Sequence, residues 1–247
     1  MARMPVEGLI RAFHIANKDA KAYYFKAPNF TYALLMPVSL FMAFSIAGPA
    51  DPKLIAPGLT SLVILFGTTS IEAVAVVLER QTGTFERLLV APISLPTIIL
   101  GKALAGLFFG SAIGIAVFAP LALASGVAVA SPPMALLAIA FSSLSFSALG
   151  VLASTHAKWV PEAQMLANLL RFPMAFLSGA FIPLELMPSQ LRAVARILPL
   201  TYSVEALRMS MEGPGETSAY LLDMLVLALY SLAFLAIATS ALRRKIE

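Results

Sequence analysis

The sequence predicts an all-α integral membrane protein with six transmembrane helices, cytoplasmic termini and an amphipathic N-terminal interfacial helix. Three observations predict it. The chain is 60% hydrophobic and 12% charged, against about 45–50% and about 25% in ordinary soluble domains. Its apolar residues gather in runs of about 20, the length that crosses a bilayer. Its basic residues fall unevenly between the two sides that those runs define.

Residues 1–28 scatter Arg3, Arg11, Lys18, Lys21 and Lys26 with no apolar core among them, so the segment does not read as a cleavable signal. Val6, Ile10, Phe13, Ala20 and Tyr24 recur near helical spacing between the basic residues, which suits a helix lying on an anionic leaflet. An ordinary solvated helix leading into the first span fits nearly as well. Residues 29–247 then form the six-span region. Span 1 is Asn29 to Ala50, and span 2 is Leu54 to Leu78, broken only by Glu72. Ala103 to Thr155 is free of charge and long enough for two crossings, divided at Gly126 and Pro132–Pro133 into spans 3 and 4. Span 5 runs from Ala163 to Ile182 with Arg171 and Pro173 inside it. Span 6 is Met224 to Leu242, followed by Arg243, Arg244 and Lys245.

An even count puts both termini on one side. That side holds Arg3, Arg11, Lys18, Lys21, Lys26, Arg80, Arg87, Lys102, Lys158, Arg243, Arg244 and Lys245, whereas the other holds Lys53, Arg192, Arg196 and Arg208. The excess marks the first side as cytoplasmic. The 5–6 connection, residues 183–223, is then the one long extracellular segment. Within it Leu191, Val194 and Leu198, and again Val204, Leu207 and Met211, fall at helical spacing. Both pieces are too short to span, which suits amphipathic helices at the outer interface or a small folded cap.

Several chemistries are missing from the sequence. It has no cysteine, no G-x-x-x-x-G-K-[ST] phosphate loop and no H-E-x-x-H, and His14 and His156 lie far apart. Gly101–Lys102 is followed by alanine and lacks the upstream glycine. The predicted spans contain no aspartate, and no serine sits in a G-x-S-x-G turn. Catalysis by this chain alone is not expected, nor a bound metal or cofactor. A nucleic-acid partner is not expected either, since no basic cluster lies on a soluble segment.

Ionisable residues inside spans are functional candidates by default, because each costs about 2.5–3.5 kcal/mol on insertion scales. Here they are Glu72 and Arg171, which could pair with each other or snorkel to the interface. Pro173, Gly179 and Pro183 argue for a kinked or interrupted span 5. Irregular backbone at that depth persists only when buried in protein or facing a cavity, so Glu72, Arg171, Pro173, Gly179 and Pro183 are the candidate gate or pathway residues.

The cytoplasmic loop 79–97 departs from its apolar surroundings with Glu79, Arg80, Glu86 and Arg87. Thr84 is placed to cap a short helix beginning at Phe85. Leu88, Leu89 and Ile93 give that helix an apolar side, and Pro92 and Pro96 end it. Such a helix suits docking into a groove of another protein and lying on the membrane surface equally well.

The run "ERQTGTFERLLVAPISLPTIILGK" resembles the loop between spans 2 and 3 of ABC-2 type transporter permeases, through Glu79, Gly83, Thr84, Glu86, Leu88, Pro92, Gly101 and Lys102. "FLSGAFIPLELMPSQLRAVARILPLTYSVEALR" resembles the family's span-5 end and outer region, through Gly179, Pro183, Pro188, Pro199, Leu200, Thr201 and Tyr202. The resemblance implies a half-transporter in the plasma membrane, with two permease subunits, identical or paralogous, forming the path. It also implies a separate ATP-binding subunit pair carrying ATP and Mg²⁺ beneath them. Loop 79–97 would be the coupling helix, with Glu86 and Arg87 contacting the ATPase and Leu88 and Leu89 filling its groove. Gly83, Thr84 and Pro92 would frame that helix, and Glu79 would anchor the loop at the membrane edge. The chain looks nearest to members that export drugs, lipids or polysaccharides, since it lacks a large extracellular domain. The rival reading is a stand-alone secondary transporter or channel using Glu72.

Overall fold

The computed structural model describes residues 5–24, 52–124, 129–212 and 217–246, with isolated positions between 31 and 46. The described residues are helices and short connections, with no strand among them. Helix α1, Pro5–Asp19, runs into a π-helical turn, Ala20–Tyr24. Helices α2 (Pro52–Gln81), α3 (Thr84–Val90), α4 (Leu95–Ala124), α5 (Pro132–His156) and α6 (Val160–Leu177) follow. A 3₁₀ turn at Leu184–Leu186 leads to α7 (Ser189–Ala195), α8 (Pro199–Glu212) and α9 (Thr217–Ile246).

Four helices are long and apolar enough to cross a membrane: Ala56–Gln81, Leu95–Leu123, Pro132–His156 and Thr217–Arg244. They are predicted spans 2, 3, 4 and 6, and the helix begins well before the expected start in two of them, at Leu95 rather than Ala103 in α4 and at Thr217 rather than Met224 in α9. Asp223, expected outside span 6, therefore lies inside α9 and is buried. Predicted span 1, Asn29 to Ala50, falls largely outside the described residues, as does Gly126. Span 5 becomes the 18-residue α6. At about 1.5 Å per residue it is shorter than the roughly 30 Å of a hydrocarbon core.

Helix α5 is the centre of the bundle and packs against α2, α4, α8 and α9. Its approach to α4 is close because Gly106, Gly110 and Gly114 sit one turn apart on α4. A Cβ at Gly110 would lie 2.6 Å from Ser143 Oγ and from Thr68 Cγ2, and one at Gly114 would lie 2.9 Å from Ile139 and Ile64 side-chain carbons. Between membrane helices lipid supplies no hydrophobic contrast, so small residues that admit backbone contact carry much of the packing.

Helix α6 continues through Pro173, where an interruption was expected. The break lies five residues later, after Leu177, where Gly179 takes φ +84°, a conformation that favours glycine. The broken segment rests on α2, where Gly58 leaves room for the Ala180 backbone.

The outer connection divides. Helix α7 is exposed at Leu191 and Val194, as an interfacial helix would be. Helix α8 is not on an interface: Leu200, Val204, Ala206, Leu207 and Met211 belong to the main apolar core. Its hydroxyl residues Thr201, Ser203 and Ser210 are also buried and satisfied inside. Thr201 Oγ1 donates to the Ala195 carbonyl at 2.6 Å and Ser210 Oγ to the Leu207 carbonyl at 2.6 Å. Ser142 on α5 donates to Ser203, and Ser203 to Ser61 on α2, at 2.7 and 2.9 Å.

Candidate functional site

Loop 79–97 closes one end of the bundle. Helix α2 ends at Gln81, and Gly83 at φ +70° turns the chain into the seven-residue α3. A Cβ at Gly83 would have Glu86 Oε2 as its nearest neighbour, 4.0 Å away, so the demand for glycine is conformational. Thr84 does not cap a helix starting at Phe85. It is the first residue of α3, Gly83 occupies the cap position, and the Thr84 hydroxyl pairs instead with that of Thr82 at 3.1 Å.

Phe85 is buried in an apolar cluster with Ile15, Ile98, Ile99, Val151, Ala238 and Leu242. Leu88, Leu89 and Ile93 pack partly buried on the same cluster. The two leucines assigned to a partner's groove are thus shared with the chain's own fold, each keeping part of its surface exposed. The outward face of α3 consists of Glu86, Arg87 and Val90, the last 85% exposed, and Pro92 is exposed just beyond it.

Arg80 ties this end together. Its guanidinium donates to the Ser154 and Ala157 carbonyls at 2.7 and 2.6 Å, satisfying groups at the C-terminus of α5. Gln81 donates to the Lys158 carbonyl, and Glu162 accepts the Lys158 N–H at 2.7 Å at the start of α6.

Beside the loop lies a buried ionic cluster that motif reading does not reveal. Lys102, 1% exposed, binds Glu79 and, at 3.1 Å, Asp19. Lys18 binds the same two carboxylates from the half-exposed side, Asp19 at 2.8 Å. Half-burial alone would lower the Lys18 ammonium, but the Asp19 and Glu79 carboxylates outweigh it and raise it above its ordinary value. Glu79 thus holds its end of the loop through lysines 61 and 23 residues away in sequence. The available sequence signals were Asp19, the sole acid between Glu7 and Asp51, and a lysine two turns past the start of an apolar helix.

Glu72 and Arg171 are both buried within the bundle. The Tyr24 hydroxyl donates to Glu72 Oε2. Glu72 also sits where Gly150 of α5 approaches, 2.9 Å from the position of a Cβ there. Arg171 reaches a different side of α2. It donates to Ser70 Oγ and, at 3.1 Å, to the Phe66 carbonyl, and on its own helix to Asn168 and the Ala167 carbonyl. It does not snorkel. Gly179 and Pro183 lie further along, toward the opposite end of the bundle from the loop. There Arg208 donates to the Gly179 carbonyl at 3.5 Å and Pro183 starts the 3₁₀ turn. The twelve candidate residues therefore form two groups: Gly83, Thr84, Glu86, Arg87, Leu88, Leu89 and Pro92 around α3, and Pro173, Gly179 and Pro183 at the far end with Arg171 and Glu72 between.

A family model described as "ABC-2 type transporter" matches residues 13–211. Among curated proteins, the chain is 30% identical over 132 residues to "Inner membrane transport permease YhhJ" of Escherichia coli (strain K12), covering 53% of this chain and 35% of that protein. It is 31% identical over 112 residues to "Nodulation protein J" of Rhizobium leguminosarum bv. viciae, covering 45% and 43%. The protein of the same name from Bradyrhizobium diazoefficiens is 35% identical over 144 residues, covering 56% and 53%. The matched stretch thus spans about a third to a half of the length of these relatives.

Proposed function

Because the chain belongs to the ABC-2 type transporter family, we propose that it is the permease subunit of an ATP-binding cassette transporter that exports a drug-like, lipid or polysaccharide substrate. The subunit sits in the plasma membrane as six spans, with both termini and loop 79–97 cytoplasmic. Residues 1–28 form its interfacial element, residues 29–247 the transmembrane domain, and 183–223 the extracellular connection. Two such subunits, identical or paralogous, enclose the path, and a separate pair of ATP-binding subunits hydrolyses Mg²⁺–ATP. The chain itself performs no chemistry.

The observation that carries this reading is the construction of α3. A seven-residue helix is too short to be stable alone, yet this one is anchored by buried Phe85 and turned by Gly83 so that Glu86, Arg87 and Val90 face outward. A folded knob with a charged, exposed tip on a membrane bundle suits a partner's groove. Closure of the ATPase on ATP would push on this knob and move α2 and α4, between which it lies.

Purification of the chain in mild detergent, with mass spectrometry of what accompanies it, tests the reading. A stoichiometric ATP-binding subunit that is lost on Glu86→Ala supports it. A chain that purifies alone, transports, and responds to Glu72→Gln would replace it with the secondary-transporter reading, which the burial of Glu72 beside Tyr24 favours.

A further inference from the structure

Helix α1 touches loop 79–97 at both ends of that loop. Arg11, Ile15, Lys18 and Asp19 fall at i, i+4, i+7 and i+8, so they share one face of α1. At one end of this face the Arg11 guanidinium donates to the Pro92 carbonyl, just past the C-terminus of α3. At the other, Lys18 and Asp19 meet Glu79 and Lys102, just before α3 begins. Between them Ile15 enters the same apolar cluster as Phe85. The face lies flush on α4 because Gly101 carries no side chain: a Cβ there would be 2.8 Å from the Ala12 carbonyl and from the Ile15 Cβ.

We propose that α1 and α3 form one rigid coupling unit, clasped at Glu79 and at Pro92, in which Arg11, Asp19 and Lys102 are positioning residues that fix α3 for its partner. The proposal rests on the reading of α3 as the ATPase dock. A push on α3 would otherwise dissipate in its own connections, since Gly83 on one side and the irregular residues 91–94 on the other are the places where a chain bends. Bracing both flanks against α1 removes that slack. The brace also spreads the push, because Lys102 is a residue of α4 and Glu79 of α2, so one buried cluster joins three helices. Ionic contacts suit a clasp of this kind: they fix direction and distance, and a buried pair that loses one member leaves an uncompensated charge.

The chain has no cysteine, so spin labels at His14→Cys and Val90→Cys report the α1–α3 distance without background. Pulsed EPR on the purified full chain in lipid nanodiscs is expected to give one narrow distribution. Lys102→Met and Arg11→Gln each broaden it, and Lys102→Arg keeps it narrow. Arg11 is only partly buried, so its variant folds even if Lys102→Met does not. In unlabelled chains, Lys102→Met and Arg11→Gln lose ATPase co-purification and stimulated ATP hydrolysis in the order of their broadening, while Lys102→Arg retains both. A broad wild-type distribution, or a narrow one that ignores the substitutions, overturns the clasp. Broadening with undiminished ATPase binding and hydrolysis overturns the positioning role. The distance measurement needs no ATPase, so it decides the clasp even where the wild-type chain recruits none and the docking reading itself fails.

Discussion

The guanidinium of Arg171 lies over the ring of Phe66, its central carbon 4.9 Å from the ring centroid, deep between α6 and α2. Its nitrogens also serve the Phe66 and Ala167 carbonyls, Ser70 and Asn168. Position, planarity and charge are all used, and lysine supplies only the charge.

Arg171→Lys is therefore expected to destabilise the bundle. Loss of one hydrogen bond from a charged group costs about 1.5–3 kcal/mol, which for a chain of this size lowers Tm by roughly 3–12 °C. Thermal unfolding in detergent checks it, and an unchanged Tm would mean that charge alone is what the site needs.

At Gly83 the demand is for positive φ with open space around it. Gly83→Asn is expected to keep partner-stimulated ATP hydrolysis, because asparagine tolerates the left-handed region. Gly83→Val should lose it, since a β-branched residue there carries a penalty of about 1–2 kcal/mol or more. Equal behaviour of the two variants would show that the turn does not orient α3.

Glu86 is exposed and contributes nothing to the core. Glu86→Ala should leave stability within about 0.5 kcal/mol. Affinity for the ATP-binding subunit should fall about tenfold or more, the scale of a contact worth over 1 kcal/mol. Parallel thermal unfolding and titration with the partner separate the two effects, and a lowered Tm would reassign Glu86 to the fold.

The burial of α8 is open to chemical labelling. In the cysteine-free chain, Ser203→Cys should resist a membrane-impermeant maleimide, while Leu191→Cys on α7 reacts promptly. Equal reactivity would return α8 to the surface.

That helix illustrates what sequence pattern conveys and what it withholds. The apolar lengths of α2, α4, α5 and α9 were legible because hydrocarbon thickness sets them directly. Helix α8 read as amphipathic because Thr201, Ser203 and Ser210 count as polar, and nothing local announces that each will find a buried acceptor. The break in α6 falls within the stretch that Pro173, Gly179 and Pro183 mark, but residue types alone do not say which of them makes it; the positive φ is at Gly179. Around α3 the motif identified the segment and its exposed charges. It assigned Leu88 and Leu89 to a partner because their own cluster draws on Ile15, Val151 and Leu242, far apart in the chain. The ionic cluster was hidden for the same reason: Asp19 and Lys102 meet across 83 residues.

The three glycines along α4 bear on how the protein is made. Helices α4 and α5 are consecutive in the chain, and along that row Ser147, Ser143 and Ile139 of α5 pack directly against the α4 glycines. Neither needs a later segment to complete the seam, so the hairpin can close as soon as α5 leaves the ribosome and enters the bilayer. Helix α2, already synthesised, finds Gly110 and Gly150 waiting as slots for Thr68 and Thr69.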